Sequence, residues 1–263
     1  MNLGLEDKVA LVCGSSRGLG KAVADELAAE GASVALCARN EEQLGLAAEE
    51  IERETGAAVL AVPADLAVAG EPARVVESSL ERFGRVDILV TNSGGPPAGT
   101  FETVQPADWD HATSLLLKST VELVAGVLPT MKSRRWGRIL AVTSIAAKQP
   151  VENLMLSNSL RAAVTGFAHT LAREVARDGI TVNTILPGYT STERVTELNE
   201  ANARREGVDP SVIQARLEAE IPLGRLAEPR EFAALAAFLA SERAAYITGG
   251  AFAVDGGWLR SLF

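Results

Sequence analysis

The stretch Cys13-Gly14-Ser15-Ser16-Arg17-Gly18-Leu19-Gly20 places three glycines between an apolar run, residues 9–13, and a helical pattern, residues 21–30. This order predicts a strand, a tight turn and a helix. Glycine lets the backbone turn sharply and approach a ligand, and the first N–H groups of the helix attract an anion. The stretch therefore predicts a phosphate-binding turn, although glycine turns with this spacing also occur without a ligand.

The rest of the chain continues the alternation of strands and helices. Strands are predicted at residues 9–13, 32–37, 58–62, 86–91, 138–142, 181–186 and 251–254, and helices at 21–30, 41–55, 72–83, 106–132, 155–177 and 229–239. Such alternation calls for parallel strands joined by right-handed crossovers. We predict one doubly wound (Rossmann) α/β domain over residues 1–263. Its seven-stranded parallel sheet has helices on both faces and a ligand crevice at the carboxyl ends of the strands.

Composition and charge exclude several classes of partner. The 263 residues are 47% hydrophobic and carry a net charge of −9. Nucleic acids and anionic membranes select basic surfaces, so neither is expected as a partner. Residues 1–8 do not resemble a signal peptide and no apolar run reaches membrane-spanning length, so we expect a cytoplasmic protein. Cys13 and Cys37 have no histidine or further cysteine near them, so we interpret them as buried apolar residues and expect no metal site.

Residues after the second and third predicted strands favour a phosphorylated dinucleotide. Folds that bind NAD usually have an acidic residue after the second strand, for the ribose 2′-hydroxyl, but this chain has Ala38-Arg39-Asn40 there. The guanidinium groups of Arg39 and Arg17 match phosphate oxygens. The two arginines therefore predict NADP(H) rather than NAD(H). The alternative is that Arg17 and Arg39 are ordinary surface residues. Asp65, which precedes Leu66, is placed to accept a hydrogen bond from an adenine amino group.

The next three predicted strands also end at small or polar residues. Asn92-Ser93-Gly94-Gly95 follow the fourth strand, Thr143 and Ser144 the fifth, and Pro187-Gly188-Tyr189-Thr190-Ser191-Thr192 the sixth. Because parallel strands end at one edge of the sheet, these residues are predicted to line the crevice. Turns are rich in such residues in any case, so this pattern alone does not define a site.

Four stretches together resemble the short-chain dehydrogenase/reductase family over nearly the whole chain. They are residues 14–20, residues 92–95, Asn183 with Pro187-Gly188, and residues 254–257. Within the family the chain is most similar to the 3-oxoacyl-(acyl-carrier-protein) reductases. The resemblance implies hydride transfer between a nicotinamide and a small-molecule carbonyl or alcohol. The cofactor site that it implies consists of Gly14, Ser15, Ser16, Arg17, Gly18, Leu19, Gly20, Arg39, Asn40, Asp65, Leu66, Asn92, Ser93, Gly94, Arg161, Pro187, Gly188, Thr190 and Thr192.

Of the family's catalytic Asn-Ser-Tyr-Lys set, this chain keeps the serine alone. The resemblance implies that Ser144 hydrogen-bonds the substrate oxygen. Ser157 stands where the family has the proton-donating tyrosine, Arg161 where it has the lysine, and Leu116 where it has the water-ordering asparagine. A serine hydroxyl titrates far above the tyrosine pKa of about 10, and arginine does not release its proton. These replacements predict an atypical proton route or no catalysis.

Two other residues are candidates for the missing proton donor. Lys148 lies four residues beyond Ser144, and Tyr189 lies on the loop that flanks the nicotinamide in relatives. Each is also explained as a packing or solvated loop residue. Two hypotheses therefore stay open. The protein is either an NADP(H)-dependent oxidoreductase with an atypical proton route, or a catalytically inactive NADP-binding sensor or regulatory protein.

The segment 190–224 is long for a loop and contains two charged helical patterns, residues 193–206 and 210–220. In relatives this region is a mobile lid over the substrate, which predicts a lid here too. A partner-binding helix pair is the alternative. The helices predicted at 106–132 and 155–177 resemble the dimer-forming helices of the family, which predicts a homotetramer or a homodimer.

Overall fold

A computed structural model describes residues 2–261. Its strands form one seven-stranded sheet in the order β3-β2-β1-β4-β5-β6-β7, and all adjacent pairs are parallel. The predicted doubly wound α/β fold is confirmed. The strands are β1 (Val9–Cys13), β2 (Ser33–Ala38), β3 (Val59–Pro63), β4 (Ile88–Thr91), β5 (Gly137–Val142), β6 (Ile180–Pro187) and β7 (Ala251–Val254).

The helices differ from the sequence prediction in two places. The helix predicted at 106–132 is divided by a π-helical turn, Ser114–Lys118, and the first helix begins at Gly18, so the last two glycines of the turn lie in its first turn. The helices are α1 (Gly18–Ala29), α2 (Glu41–Thr55), α3 (Glu71–Phe83), α4 (Pro106–Thr113), α5 (Ser119–Arg134), α6 (Met155–Val175), α7 (Glu193–Glu206), α8 (Pro210–Glu220) and α9 (Pro229–Ala240).

Each central strand contributes to a hydrophobic core on both faces of the sheet. In β1, Ala10 and Val12 join a core that includes α1, α2 and α9, whereas Leu11 and Cys13 join one that includes α3, α5 and α6. Alternate side chains of a strand point to opposite faces, and a parallel sheet covered by helices on both sides is apolar throughout. Cys13 and Cys37 are register neighbours and fully buried, as predicted.

The helical segment Pro106–Arg134 is long and apolar enough, by length and composition alone, to cross a membrane. The sequence shows no uninterrupted apolar run of that length, so the segment was not predicted to be long enough. Its inner face carries Leu123, Val127 and Met131 into the core beneath the sheet, where each is at most 1% exposed. Packing in the core accounts for the apolar composition of this face.

The strand order reverses direction at β1, which lies between β2 and β4. In doubly wound folds the ligand binds in the crevice outside the carboxyl ends of the strands at this point. The glycine turn after β1 and residues 92–95 after β4 are therefore neighbours. The residues predicted to form the site lie at this edge because the topology brings the strand ends together.

Candidate functional site

The glycine turn is so tightly closed that two of its positions have no room for a side chain. A Cβ atom at Gly20 would lie 2.1 Å from the carbonyl oxygen of Gly14, and one at Gly14 would lie 2.7 Å from Nδ2 of Asn92. Gly14 and Gly18 also have φ angles of +61° and +60°, which side chains disfavour. Nδ2 of Asn92 donates a hydrogen bond to the Gly14 oxygen at 3.3 Å. The turn after β1 is thus fixed to the loop after β4.

The N-terminus of α1 meets the requirements of an anion site. No side chain caps this helix end, and its first turn contains no acidic residue. Its N–H groups and the positive end of the helix dipole are therefore free to attract an anion. Ser16, Gly18 and Leu19 are only partly buried. Together with the glycine turn, this arrangement fits the diphosphate of a dinucleotide.

Ser15 links the ends of β1 and β2 by hydrogen bonds and does not face the crevice. It is completely buried. Its hydroxyl donates to the Val12 carbonyl oxygen at 2.8 Å and accepts from the Cys37 amide at 3.0 Å, and its own amide donates to the Cys37 carbonyl oxygen. The hydroxyl and amide hydrogens of Ser15 are both used within the fold, so its predicted cofactor contact stays a prediction that neither hydrogen supports.

Four predicted cofactor residues lie at the ends of β2 and β3. Arg39 is exposed and has no ion-pair partner within residues 2–261. Asn40 caps α2, with Oδ1 accepting from the Gln43 amide at 2.9 Å. One carboxylate oxygen of Asp65 accepts from a nearby amide at 3.0 Å, and Leu66 is buried. Arg39 therefore keeps its guanidinium available for a phosphate, whereas the cofactor contacts of all four residues stay predictions.

Arg17, the second arginine predicted to bind phosphate, is paired with acidic residues of α7. Its guanidinium forms an ion pair with Glu193 and lies 3.8 Å from Glu197. All three side chains are more than half exposed, so each pair contributes little to stability. A phosphate at Arg17 has to compete with these two carboxylates, which the sequence did not indicate.

Side chains of the first turn of α7 contact the glycine turn and the loop after β4. Nη2 of Arg194 donates to the Pro96 carbonyl oxygen at 3.1 Å and lies over Gly95, where an added Cβ atom would be 3.2 Å away. With the Arg17–Glu193 pair, this contact places the first turn of α7 over both sides of the crevice. The location is that of the predicted lid, although motion of the lid stays a prediction.

Ser144 is placed to donate a hydrogen bond at the end of β5. Its Oγ accepts from the Ala146 amide at 3.1 Å and caps the short turn Ile145–Ala147. No other bond of this hydroxyl is made within the described part of the chain, and the residue is partly exposed. The hydroxyl hydrogen is therefore free for a ligand.

Arg161 lies beneath the same edge and is only 8% exposed. Its Nη1 donates to the carbonyl oxygen of Val142, the last residue of β5, at 2.7 Å. Burial, together with the smaller effect of the nearby cation Arg194, lowers the pKa of Arg161 to about 10. The geometry gives this guanidinium a fixed position next to the strand that leads to Ser144.

Leu116 and Ser157 lack the chemistry of the family residues whose positions they are predicted to hold. Leu116 lies in the π-helical turn and packs in a small apolar cluster with Ala112, Leu156 and Leu160. The hydroxyl of Ser157 has no hydrogen-bond partner within residues 2–261 and is partly exposed. An apolar side chain cannot order a water, so the prediction that Leu116 holds the asparagine position implies that the relay of the family type is missing there.

The two alternative proton donors differ in their surroundings. Lys148 is exposed just after the turn that Ser144 caps. Tyr189 is held edge-on against Trp258, with ring centroids 5.9 Å apart. Burial raises the pKa of Tyr189, and the negative charge of Glu220 raises it further. These surroundings make Tyr189 a weaker acid than an ordinary tyrosine, which argues against its predicted role as proton donor.

The loop after β6 approaches both the C-terminal segment and the glycine turn. A Cβ atom at Gly188 would lie 2.7 Å from Cα of Asp255, and one at Gly18 would lie 3.6 Å from the methyl group of Thr192. Thr190 is buried, and its carbonyl oxygen accepts from the Thr192 hydroxyl at 3.3 Å. Thr192 is thus brought next to the turn, as predicted from the strand ends.

Comparison with known proteins assigns the chain to a family. Residues 14–259 match the family model described as enoyl-(acyl carrier protein) reductase. The 3-oxoacyl-(acyl-carrier-protein) reductase of Vibrio cholerae is 35% identical over 255 residues, which cover 97% of this chain and 98% of that protein. The chain belongs to the short-chain dehydrogenase/reductase family. The resemblance inferred from the sequence motifs is therefore confirmed.

Solved structures of short-chain dehydrogenases/reductases match the fold along the whole chain. The L-sorbose reductase of Gluconobacter frateurii, complexed with NADPH and L-sorbose, is 37% identical with a TM-score of 0.95, and the match covers 100% of both chains. An actinorhodin polyketide ketoreductase variant with NADPH is 32% identical with a TM-score of 0.93, over 97% of this chain and 98% of that one. The assignment of Leu116, Ser157 and Arg161 to the family's catalytic positions stays a prediction from the sequence.

Proposed function

We propose that the protein is an NADPH-dependent reductase that acts on a carbonyl group of a small molecule by a proton route without tyrosine. The glycine turn, which has no room for side chains and leads into the uncapped N-terminus of α1, is the observation that carries this proposal. The solved relatives complexed with NADPH support the choice of cofactor. The free guanidinium of Arg39 supports a 2′-phosphate rather than a 2′-hydroxyl.

In this proposal each part of the cofactor is bound by residues that follow a different strand. The α1 N-terminus and residues 14–20 hold the diphosphate, Arg39 and Arg17 hold the 2′-phosphate, and Asp65 accepts from the adenine. Residues 92–94 and the loop with Thr192 complete the cofactor site. When bound, NADPH supplies a hydride.

Ser144 and Arg161 act on the substrate oxygen in the proposed reaction. A hydride from bound NADPH would add to the carbonyl carbon, the electron pair of the C=O bond would move to oxygen, and the oxygen would take a proton from water to give the alcohol. The free hydroxyl hydrogen of Ser144 positions the carbonyl oxygen, and the fixed charge of Arg161 stabilises the developing negative charge. General acid catalysis contributes about 10²–10⁴-fold, so turnover without it is expected to be slow.

An NADPH oxidation assay tests the proposal with a panel of short 3-oxoacyl thioesters, ketones and quinones. We expect loss of NADPH absorbance with at least one of them. Ser144→Ala should lower kcat by about 10²-fold, as expected for loss of a donor to the reacting oxygen. The exposed Ser159, which bonds only its own helix at 3.0 Å, provides the matched control Ser159→Ala. Saturable NADPH binding without oxidation by any substrate would contradict the proposal.

A catalytically inactive NADP-binding regulator is the second candidate, and the apolar surroundings of Leu116 favour it. The two candidates differ in whether hydrogen leaves the cofactor. Incubation with NADPH that carries tritium at nicotinamide C4 distinguishes them, because only the reductase transfers the label to a product.

We also propose that the protein forms a homotetramer or a homodimer through α5 and α6. Val121 on α5 is 39% exposed, and Ala162 and Gly166 on α6 are exposed, so both helices present small or apolar surface. Burial of such surface drives association. Light scattering coupled to size-exclusion chromatography measures the mass, and a monomer of 27.6 kDa would refute the assembly.

A further inference from the structure

The first turn of α7 attaches the predicted lid to both sides of the crevice by polar contacts. Helix α7 contains 14 residues, of which only Asn199 and Ala203 are buried. An element with few buried apolar side chains opens at a low cost in free energy. Side chains of its first turn bond the loop after β4 on one side and Arg17 on the other. These contacts therefore have a large share in deciding whether α7 stays over the crevice.

The contact on the cofactor side is made by the guanidinium of Arg17. This group forms an ion pair with Glu193 and lies 3.8 Å from Glu197, one helical turn further along α7. Within the described part of the chain, the guanidinium has no other hydrogen-bond or ion-pair partner. The backbone also comes close here, because Thr192, the N-cap of α7, lies next to Gly18. The group proposed to bind the 2′-phosphate is thus the group that holds the lid.

A phosphate at Arg17 takes the partner of the lid helix and also repels that helix. A phosphate monoester carries a charge of about −1.5 to −2 at neutral pH, and its oxygens match a guanidinium fork. Glu193 and Glu197 share one face of α7, since they are four residues apart. Like charges repel, so a 2′-phosphate at Arg17 disfavours the position of this acidic face. The diphosphate is common to both dinucleotides, so only NADP(H) brings this additional charge.

We propose that Arg17, Glu193 and Glu197 form a latch that holds the lid closed, and that the 2′-phosphate of NADP(H) opens the latch by binding Arg17. This inference rests on the proposed function and adds a coupling between cofactor and lid. NAD(H) has no 2′-phosphate and leaves the latch in place. The coupling is reciprocal, so the latch lowers the affinity for NADP(H) and not for NAD(H).

Hydrogen exchange measured by mass spectrometry tests the latch without any turnover. The probes are NADP⁺ and NAD⁺, each at a saturating concentration. They differ only in the 2′-phosphate, and neither has a hydride to donate. We expect the amides of residues 195–206 to exchange about 2–5-fold faster with NADP⁺ than with NAD⁺, because exposed ion pairs are weak. The amides of Val195 and Thr196 donate to the Thr192 carbonyl oxygen, so they report on the end of α7 that the latch holds.

The variant Arg17→Gln provides a second measurement that needs no ligand. Its amides at residues 195–206 should exchange about 2–5-fold faster than those of the unmodified protein, and NADP⁺ and NAD⁺ should then have equal effects. Glu193→Gln with Glu197→Gln should act in the same way. Combining all three changes should give no further gain, because both variants break the same contact. The control Arg53→Gln removes an exposed arginine that pairs with Glu54 on α2, and it should leave the exchange of α7 unchanged.

The outcomes separate the latch from the proposed function. Unaltered exchange of residues 195–206 in a folded Arg17→Gln variant overturns the latch, whichever cofactor binds. In the unmodified protein, exchange with NADP⁺ that equals or is slower than that with NAD⁺ overturns release by the 2′-phosphate. Faster exchange with NADP⁺, together with no oxidation of NADPH by any substrate, supports the latch and refutes the reductase. Oxidation of NADPH by a protein whose lid exchanges alike with both nucleotides does the reverse.

Discussion

Replacement of Gly20 by alanine tests whether the closed turn is the cofactor site. The added Cβ atom would lie 2.1 Å from the Gly14 carbonyl oxygen, a backbone atom that cannot rotate away, and contacts under 3.0 Å are essentially never seen. The turn and α1 therefore have to separate by roughly 0.9 Å, the difference between these two distances. Overpacking of this kind lowers the free energy of unfolding by about 1–3 kcal/mol. The higher helix propensity of alanine offsets about 1 kcal/mol of this loss. A shift near 1 Å in a binding site should also weaken NADPH binding by at least about tenfold.

Urea unfolding and fluorescence titration with NADPH measure these two effects. The matched control is Gly45→Ala in α2, where no atom lies within 4 Å of the added Cβ. It should raise the free energy of unfolding by about 1 kcal/mol and leave NADPH affinity unchanged. A Gly20→Ala protein with unaltered stability and unaltered NADPH affinity would refute the argument that the closed turn holds the cofactor.

Three further predictions follow from the charges around the crevice. Arg39→Gln should weaken NADPH binding by about 10–100-fold in a titration and leave NADH binding unchanged, because the proposed contact of Arg39 is with the 2′-phosphate, which NADH lacks. The double change Glu193→Gln with Glu197→Gln should tighten NADPH binding by about 2–5-fold without affecting NADH binding. The two carboxylates compete with the 2′-phosphate for Arg17, and the gain is small because exposed ion pairs are weak. An equal gain in affinity for NADH would indicate lid opening instead. In Tyr246→Phe, Tyr189 is the one tyrosine left, and its absorbance should titrate above pH 10 because burial and Glu220 raise its pKa. Above pH 10 the folded protein keeps a proton on Tyr189 that the unfolded chain loses, so the free energy of unfolding should fall as the pH rises past about 10. A midpoint of the absorbance titration below pH 10 would make Tyr189 a candidate acid again.

The sequence was sufficient for the fold because its signals are local. Each strand is a short apolar run between turn residues, and each predicted strand matches an observed one. The π-helical turn at Ser114–Lys118 was missed because the apolar pattern continues through it from α4 into α5. A one-residue change of helical register leaves no mark in composition, since leucines at 115, 116 and 117 keep every face apolar.

Positions in the site were predictable, but side-chain partners were not. Parallel strands end at one edge, so their following residues had to meet there. The partners come from distant parts of the chain, as when Arg17 pairs with Glu193 and Arg194 reaches the Pro96 oxygen. Ser15 is another partner that the sequence could not predict. A serine in a glycine turn is equally compatible with a bond to a ligand and with the observed bond to Cys37 in β2. Arg194 carried no signal beyond its place at the start of a charged helix.

The replacements predicted at positions 116, 157 and 161 are physically compatible with one another in the proposed reaction. Leu116 packs against Leu160, next to Arg161, so the apolar cluster and the buried guanidinium belong to one arrangement on α6. Loss of a general acid costs about 10²–10⁴ in rate, whereas a fixed charge or donor at a developing oxyanion contributes about 10²–10³. A cation that keeps its proton can therefore offset much of the loss by stabilising the charged oxygen until water protonates it. Replacing a general acid by a fixed positive charge requires that no carboxylate of the protein neutralises Arg161. No carboxylate among residues 2–261 pairs with Arg161, so this requirement is met.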